Sequence, residues 1–281
     1  MFHLFRAVLI SFIAPSLLFS FQEKLNNATL LADFRLATLP KCGTHLLVKC
    51  LHSLGAMPEI SESKFGGITL SQELQNQYGW HLKDSVVDNI FQGSHKYLIM
   101  IRDIRDAILS LHEWMPYFYI KYDQPDLYDQ AIHSFGGDSD LQLLNLISEN
   151  PEALGSWYLK RSRLAVSLYQ QQDILPHVLF VKYEDLIGPN GGGSLHRQIQ
   201  TVQKIAQFLN IPNVDENKAS LIAAGLWGNT ETFNTSTRKG QINAWKKHYN
   251  AEHIRAFKQH WNGYLISFGY ETTEDWDLQL P

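Results

Sequence analysis

The chain of 281 residues is 44 % hydrophobic, enough for one large domain with a well-buried core and too short for two ordinary enzyme domains. Its formal charge of -4 supplies no basic excess to neutralise a run of phosphates, which excludes bulk nucleic-acid binding and makes any anion site a local one. The cysteines, Cys42 and Cys50, stand about two helical turns apart, roughly 11 Å and beyond disulfide reach, and the 12 histidines form no H-x-x-x-H or H-E-x-x-H pair, so neither a disulfide nor a metal site is expected.

In chain order, Met1-Phe2-His3-Leu4-Phe5-Arg6 leads into an apolar run from Ala7 to Phe21, interrupted by Ser11, Pro15, Ser16 and Ser20. One positive charge, an apolar stretch of about fifteen residues and a small residue at Ser20 make 1–21 a signal-like or anchor segment. It is shorter than the roughly twenty residues of a spanning helix, and Pro15 breaks it. Membrane association or export is the corresponding expectation; an apolar helix packed on the domain, with a cytoplasmic location, is the alternative. Asn27-Ala28-Thr29 and Asn234-Thr235-Ser236 have the form of glycosylation sequons.

Next comes a short apolar strand, Phe34 to Thr38, then the run Leu39-Pro40-Lys41-Cys42-Gly43-Thr44-His45, then Leu46, Leu47, Cys50, Leu51 and Leu54 at helical spacing. Strand, loop and helix in that order read as an anion-binding loop. Gly43 allows close backbone approach, Thr44 offers a hydroxyl, Lys41 adds a charge, and the first N–H groups of the helix lie where the dipole favours an anion. A nucleoside-triphosphate loop places its lysine directly after a glycine and a hydroxyl for magnesium directly after the lysine. Here Lys41 precedes Gly43, which opposes a magnesium-dependent nucleotide kinase.

Further on, Tyr78 to Leu82 predicts a short strand, while Tyr97 to Ile101 and Val178 to Val181 read as strands buried on both faces. Periodic apolar positions predict helices over 151–171, 195–209 and 251–268, the last carrying Ile254, Phe257, Trp261, Tyr264, Leu265 and Phe268 on one face. Gly188 to Ser194 is a surface loop. The alternation predicts a single α/β domain over about 30–275, a central parallel sheet flanked by helices with a P-loop-like nucleotide site.

Four groups carry further chemistry. Arg102 ends the second strand and Ser110 follows eight residues later, slightly over two helical turns, so guanidinium and hydroxyl can converge on one phosphate. The bland alternative is an Arg102–Asp106 pair at a helix start. Arg238-Lys239-Gly240 joins two cations to a glycine, and Val181-Lys182-Tyr183-Glu184-Asp185-Leu186 closes the third strand. His81 lies between the two phosphate motifs, with an imidazole suited to taking a proton near neutrality. Trp114, Tyr117, Phe118, Tyr119 and Tyr122 crowd one segment, either lining an apolar acceptor pocket or packing in the ordinary way.

Pro40-Lys41-Cys42-Gly43-Thr44 resembles the 5′-phosphosulfate loop of the PAPS-dependent sulfotransferases, P-K-[ST]-G-T-[TS]-W. Cys42 replaces a small hydroxyl residue, and His45-Leu46 replaces a hydroxyl-Trp pair. Arg102 to Ser110 resembles the family's 3′-phosphate motif, and Arg238-Lys239-Gly240 followed by Asn243-Ala244-Trp245-Lys246 resembles its R-K-G and G-x-W-K runs. The Y-E-D-L run at Tyr183 resembles the strand end whose tyrosine lies by the adenine, and Trp227 stands where the family places an aromatic against the purine. Gly79-Trp80-His81-Leu82-Lys83 occupies the interval of the family's catalytic histidine.

The resemblance implies PAPS as sulfuryl donor, with no metal, and a small-molecule or glycan hydroxyl as acceptor. Lys41 and His81 are then catalytic. Lys41, Cys42, Gly43, Thr44, His45, Arg102, Ser110, Tyr183, Trp227, Arg238, Lys239 and Gly240 bind the nucleotide. The departures at Cys42, His45 and Leu46 keep open a catalytically silent protein that binds PAP or PAPS.

Overall fold

The computed structural model describes residues 34–57, 61–62, 68–69, 72–79, 81–93, 95–121, 138–148, 155–228, 230, 233–234 and 239–277. The signal-like segment 1–21, Trp80, Tyr122, Arg238 and most of both sequons lie outside these residues. The elements are β1 (Phe34–Leu36), α1 (Thr44–Ser53), the antiparallel pair β2 (Ser61–Glu62) and β3 (Ile68–Thr69), α2 (Gln72–Tyr78), α3 (Asp84–Gln92), β4 (Lys96–Ile101) and α4 (Ile104–Lys121). They continue as α5 (Ser139–Ile147), α6 (Gly155–Gln170), β5 (Val178–Lys182), α7 (Tyr183–Leu186), α8 (Leu195–Phe208), α9 (Glu216–Gly225) and α10 (Ala251–Ser267).

The main sheet is parallel, in the order β1-β4-β5, with Leu36 opposite Leu98 and Ile99 opposite Phe180. Strand β4 lies in the middle, and Tyr97 to Ile101 are all buried. Successive side chains of a strand point to opposite faces. Tyr97, Ile99 and Ile101 accordingly enter one apolar layer, shared with α4, α5, α6 and α10, while Leu98 and Met100 enter a second, shared with α1 and α8. An unbroken apolar strand is what two covered faces require.

Helix α10 closes the first layer. Asn250 caps it, accepting from the N–H groups of Glu252 (2.9 Å) and His253 (3.1 Å), and the His253 ring accepts from the Asn250 N–H in return. Its inward stripe buries Phe257, Trp261 and Leu265 fully, each contributing about 1.5–3 kcal/mol. The Trp261 N–H donates to the Ile147 carbonyl at 2.8 Å, so the one polar atom of that ring is paired. Trp276 belongs to the same layer and donates to Asn262 at 2.7 Å. Among the described residues no helix is long and apolar enough to cross a membrane.

The strand expected over 78–82 is a correction. Tyr78 ends α2, Gly79 turns the chain with φ +74, and His81 makes a single parallel bridge to Thr38, with the Leu82 N–H donating to the Thr38 carbonyl at 2.9 Å. Only glycine fits the turn, because a Cβ at residue 79 would lie 2.6 Å from the Leu36 carbonyl oxygen, which the sheet holds in place. Gly79→Ala is expected to cost about 1–3 kcal/mol of stability and to lower Tm by several degrees, read by thermal unfolding.

Candidate functional site

The carboxyl ends of the three parallel strands meet at one place, where ligands of open α/β sheets usually bind. After β1 the Leu39 N–H reaches the Met100 carbonyl (3.2 Å), and the Cys42 N–H turns back onto the Leu39 carbonyl (3.2 Å). Lys41 at φ 61 and Gly43 at φ 98 reverse the chain so that Thr44 opens α1. Gly43 at the N-cap brings no side-chain acceptor and the first turn holds no acidic residue, so the end of α1 is left electropositive.

Tyr183, which follows β5, touches all three parts of the site. A Cβ on residue 43 would sit 2.4 Å from the Tyr183 ring, so only a glycine lets loop and ring approach this closely. Over the same ring lies the Arg102 guanidinium, 4.2 Å from its centroid. The Tyr183 hydroxyl donates to the Gly240 carbonyl at 2.6 Å. With its ring held by Gly43 and Arg102 and only 5 % of its surface exposed, Tyr183 braces the site from beneath.

Arg102 is 4 % exposed. Its Nη2 donates to the Gln241 carbonyl at 3.1 Å, while its Nε is buried without a partner. Burial alone pulls its pKa down, but Tyr183, Asp106 and Glu184 hold it above the ordinary value, so the guanidinium stays charged. Ser110 lies two turns along α4, also buried. Gly240 is joined to Tyr183, whereas Lys239 is exposed and donates to the Phe233 carbonyl at 3.1 Å, so it is not drawn toward Arg102. Trp227 packs edge-on against Phe233, with centroids 5.2 Å apart.

Asp106 settles how the segment after Gly240 is held. Its two carboxylate oxygens accept from the N–H groups of Asn243 (2.7 Å) and Trp245 (3.0 Å). Asn243 takes φ 60, the left-handed conformation that asparagine tolerates best among side-chain-bearing residues.

Lys41 rests with its ammonium 4.6 Å from the Trp114 ring centroid. Tyr117, Phe118 and Tyr119 fall on the backbone of α4, with their side chains outside the described set. Cys42 does not face the cradle. Its thiol is buried, 3.5 Å from the Tyr158 hydroxyl, and burial pushes its pKa up to about 12. His45 and His81 influence one another electrostatically. Burial, then the positive charges of Arg161 and His45, hold His81 down at about 3, so its imidazole is neutral through the physiological range. The His81 Nδ1 lies 3.4 Å from the Thr38 hydroxyl, itself 2.7 Å from the Thr44 hydroxyl.

Three contributors lie outside the motifs. Tyr158 on α6 donates to the Pro40 carbonyl at 2.6 Å and pins the loop. Lys49 on α1 donates to the carbonyls of Leu226 (3.3 Å), Trp227 (3.4 Å) and Gly228 (2.9 Å), tying that segment to the loop's helix. Thr38 carried a readable signal, a hydroxyl at the strand end directly before the loop; the other two contacts span 118 and 177 to 179 residues and leave no local trace.

Behind Tyr183, a cavity of about 520 Å³ is lined by Glu184, Arg105, Asp106, Trp245, Tyr270 and Trp276 among others. Arg105 lies between the rings of Trp245 (4.1 Å) and Trp276 (4.8 Å) and pairs with Asp103 and Glu271. Glu184 accepts from the Asp103 N–H (2.9 Å) and the Tyr270 hydroxyl (2.9 Å), and burial raises its pKa to about 7.

The sulfotransferase-domain family model matches residues 31–269 of the chain. Among solved structures, mouse sulfotransferase SULT7A1 complexed with PAP superposes with a TM-score of 0.50 at 17 % identity, over 84 % of this chain and 85 % of that one. At that identity the likeness concerns the fold. No curated protein matches the sequence.

Glu184 gives a pH test with a definite sign. Its folded pKa near 7 lies above the ordinary 4.5, so the folded state binds more protons between those values, and stability falls as pH rises through that window. Glu184→Gln, with the Tyr270 hydroxyl free to turn and accept, is expected to flatten that fall. Denaturant unfolding at pH 5 and pH 8 reads the difference, and an unaltered slope refutes it.

Proposed function

This chain belongs to the sulfotransferase-domain family, and we propose that it moves a sulfuryl group from PAPS to a hydroxyl acceptor, releasing PAP. The observation that supports this most strongly is Arg102, a buried cation with no ion pair among the described residues and an unpartnered Nε, stacked on the ring that also abuts Gly43. Buried donors are normally hydrogen-bonded, and the Nε of Arg102 is placed to donate to an anionic oxygen. The uncapped end of α1 supplies a second, separate place for one. Two anion sites on one tyrosine suit a nucleotide phosphorylated at both its 3′ and 5′ positions.

In this reading the backbone N–H groups at the start of α1, from Gly43 to His45, and the Thr44 hydroxyl hold the 5′-phosphate. Arg102, Ser110, Arg238, Lys239 and Gly240 hold the 3′-phosphate, with Lys239 leaving the Phe233 carbonyl to do so. Trp227 and the edge of Tyr183 face the adenine. Cys42 contributes by filling the core beneath the loop.

Lys41 neutralises the charge that develops on the bridging oxygen as the S–O bond breaks. Its ammonium rests against the Trp114 ring, a contact worth about 0.5–1 kcal/mol, against roughly 1.5–3 kcal/mol for a charge-assisted hydrogen bond to the leaving group. The acceptor oxygen forms the new bond to sulfur, the electron pair of the old bond goes to the 5′-phosphate oxygen, and His81 takes the acceptor proton. The neutral imidazole is the form this needs. An anionic nucleotide beside it opposes the field of Arg161 and His45 and raises its proton affinity.

The acceptor is a small-molecule or glycan hydroxyl. The segment 1–21 is proposed to direct export or membrane association ahead of a domain over about 30–275, and fractionation of the tagged full chain tests it; a freely soluble, uncleaved protein would remove that reading.

Calorimetry with PAP tests the site. Arg102→Gln is expected to weaken PAP about 10–100-fold, the loss of a charge-assisted bond, while adenosine 5′-phosphate, which lacks the 3′-phosphate, changes little. With labelled PAPS and a panel of phenols, steroids and sugars, Lys41→Ala is expected to lower kcat about 10²–10³-fold. Unchanged turnover would remove the leaving-group role, and tight PAP binding without any turnover would leave a silent nucleotide-binding protein.

A further inference from the structure

Leu39 to Cys42 form a turn, closed by the Cys42 N–H on the Leu39 carbonyl at 3.2 Å. Pro40 is its second residue and Lys41, at φ 61, its third. A positive φ at the third position makes this a type II turn, because the proline ring at the second excludes the mirror-image forms. Glycine or asparagine normally stands where Lys41 does. A lysine under no other restraint favours type I, in which both central residues take negative φ. The two forms differ by a half-turn of the peptide between Pro40 and Lys41, and the closing hydrogen bond is compatible with both.

Tyr158 chooses between them. Its hydroxyl donates to the Pro40 carbonyl at 2.6 Å, from a ring that is 1 % exposed and packs edge-on against Trp261. A hydroxyl has one proton to give, so toward Cys42, 3.5 Å away, the Tyr158 oxygen is the acceptor and the thiol the donor. We propose that Tyr158 is a positioning residue for the reaction, which holds this turn in its type II form and thereby decides which side of the Pro40–Lys41 peptide meets the nucleotide. This rests on the nucleotide reading above.

In a trans peptide the carbonyl and the N–H point to opposite sides, and every described peptide is trans. With the Pro40 carbonyl drawn inward to α6, the Lys41 N–H turns outward, away from the core and toward the electropositive start of α1. In the type I form the carbonyl would stand there instead and set an oxygen against the anion. Removing the Tyr158 hydroxyl favours that flip in two ways. It leaves the carbonyl of the buried Pro40 without the donor that holds it, and it frees Lys41 to leave its positive φ. The Leu39 N–H on the Met100 carbonyl and the closing bond fix the ends of the turn, and both forms share them.

A double-mutant cycle on the full chain tests this, with PAP affinity read by calorimetry and Tm by thermal unfolding. Tyr158→Phe keeps the ring and its packing and is expected to weaken PAP about tenfold, because the binding form loses the hydrogen bond that populates it. Lys41→Gly weakens PAP by itself, since it removes a cation, but glycine takes the positive φ without strain and Pro-Gly holds type II unaided. In the Lys41→Gly background, Tyr158→Phe is therefore expected to change PAP affinity by less than about threefold. A tyrosine that merely filled space beneath the loop would cost the same in both backgrounds, and that result overturns the proposal. So does native affinity in Tyr158→Phe. If Tyr158→Phe alone is too unstable to titrate, the double variant is expected to melt at a higher temperature than it, and an equal or lower Tm overturns the proposal. Absence of PAP binding in the native protein overturns the nucleotide reading and the turn's role with it, whereas native binding with equal costs in both backgrounds overturns the role of Tyr158 alone.

Discussion

Tyr183 packs its edge on Gly43, carries the Arg102 guanidinium on its face and holds the Gly240 carbonyl with its hydroxyl, and each contact fixes a different stretch of chain. The loop after β1, the turn after β4 and the segment after Gly240 have no covalent reason to meet. They meet because one rigid ring at the end of β5 has room for all three. The room depends on residue 43 lacking a side chain, which is why the same glycine that permits the φ of 98 also permits the site. Beneath it, the alternation of β4 between two apolar layers sets the height at which the strand ends emerge.

Two arginines three residues apart show how differently a buried cation can be treated. Arg105 has Asp103 and Glu271 as partners and a tryptophan on each side; it is complete without help. Arg102 has a carbonyl, a tyrosine face and the fields of Asp106 and Glu184, with no contact ion pair among the described residues, and its Nε is buried without a hydrogen-bond partner. Arg105 is the more completely paired of the two.

The long apolar stretches were legible because burial on both faces leaves no other composition open to them. Tyr97 to Ile101 emerged as the central strand, and the stripe from Ile254 to Phe268 as α10, with Asn250 marking its start. The loop could be read because it needs a glycine, a hydroxyl and a helix start in fixed order. What stayed hidden was cooperation at a distance. Nothing near Tyr158 announces the Pro40 carbonyl, nothing near Lys49 announces the end of α9, and the 78–82 segment has strand-like residues but turns at Gly79 and touches the sheet at one point. The Arg102 and Asp106 reading also came from the sequence, and Asp106 does act on Arg102 electrostatically, but its hydrogen bonds to the N–H groups of Asn243 and Trp245 have no local trace.

The chain's 2 cysteines are free and buried, and they fall in different layers: Cys42 among the residues packed under α4, α6 and α10, Cys50 among those between α1 and α8. Burial pushes both thiols up to about 12, so neither reacts while its layer stays closed. The molecule therefore carries one native chemical clock for each side of its sheet. The rate at which a thiol reagent finds Cys42 or Cys50 measures how often that side opens, without any label being engineered into it.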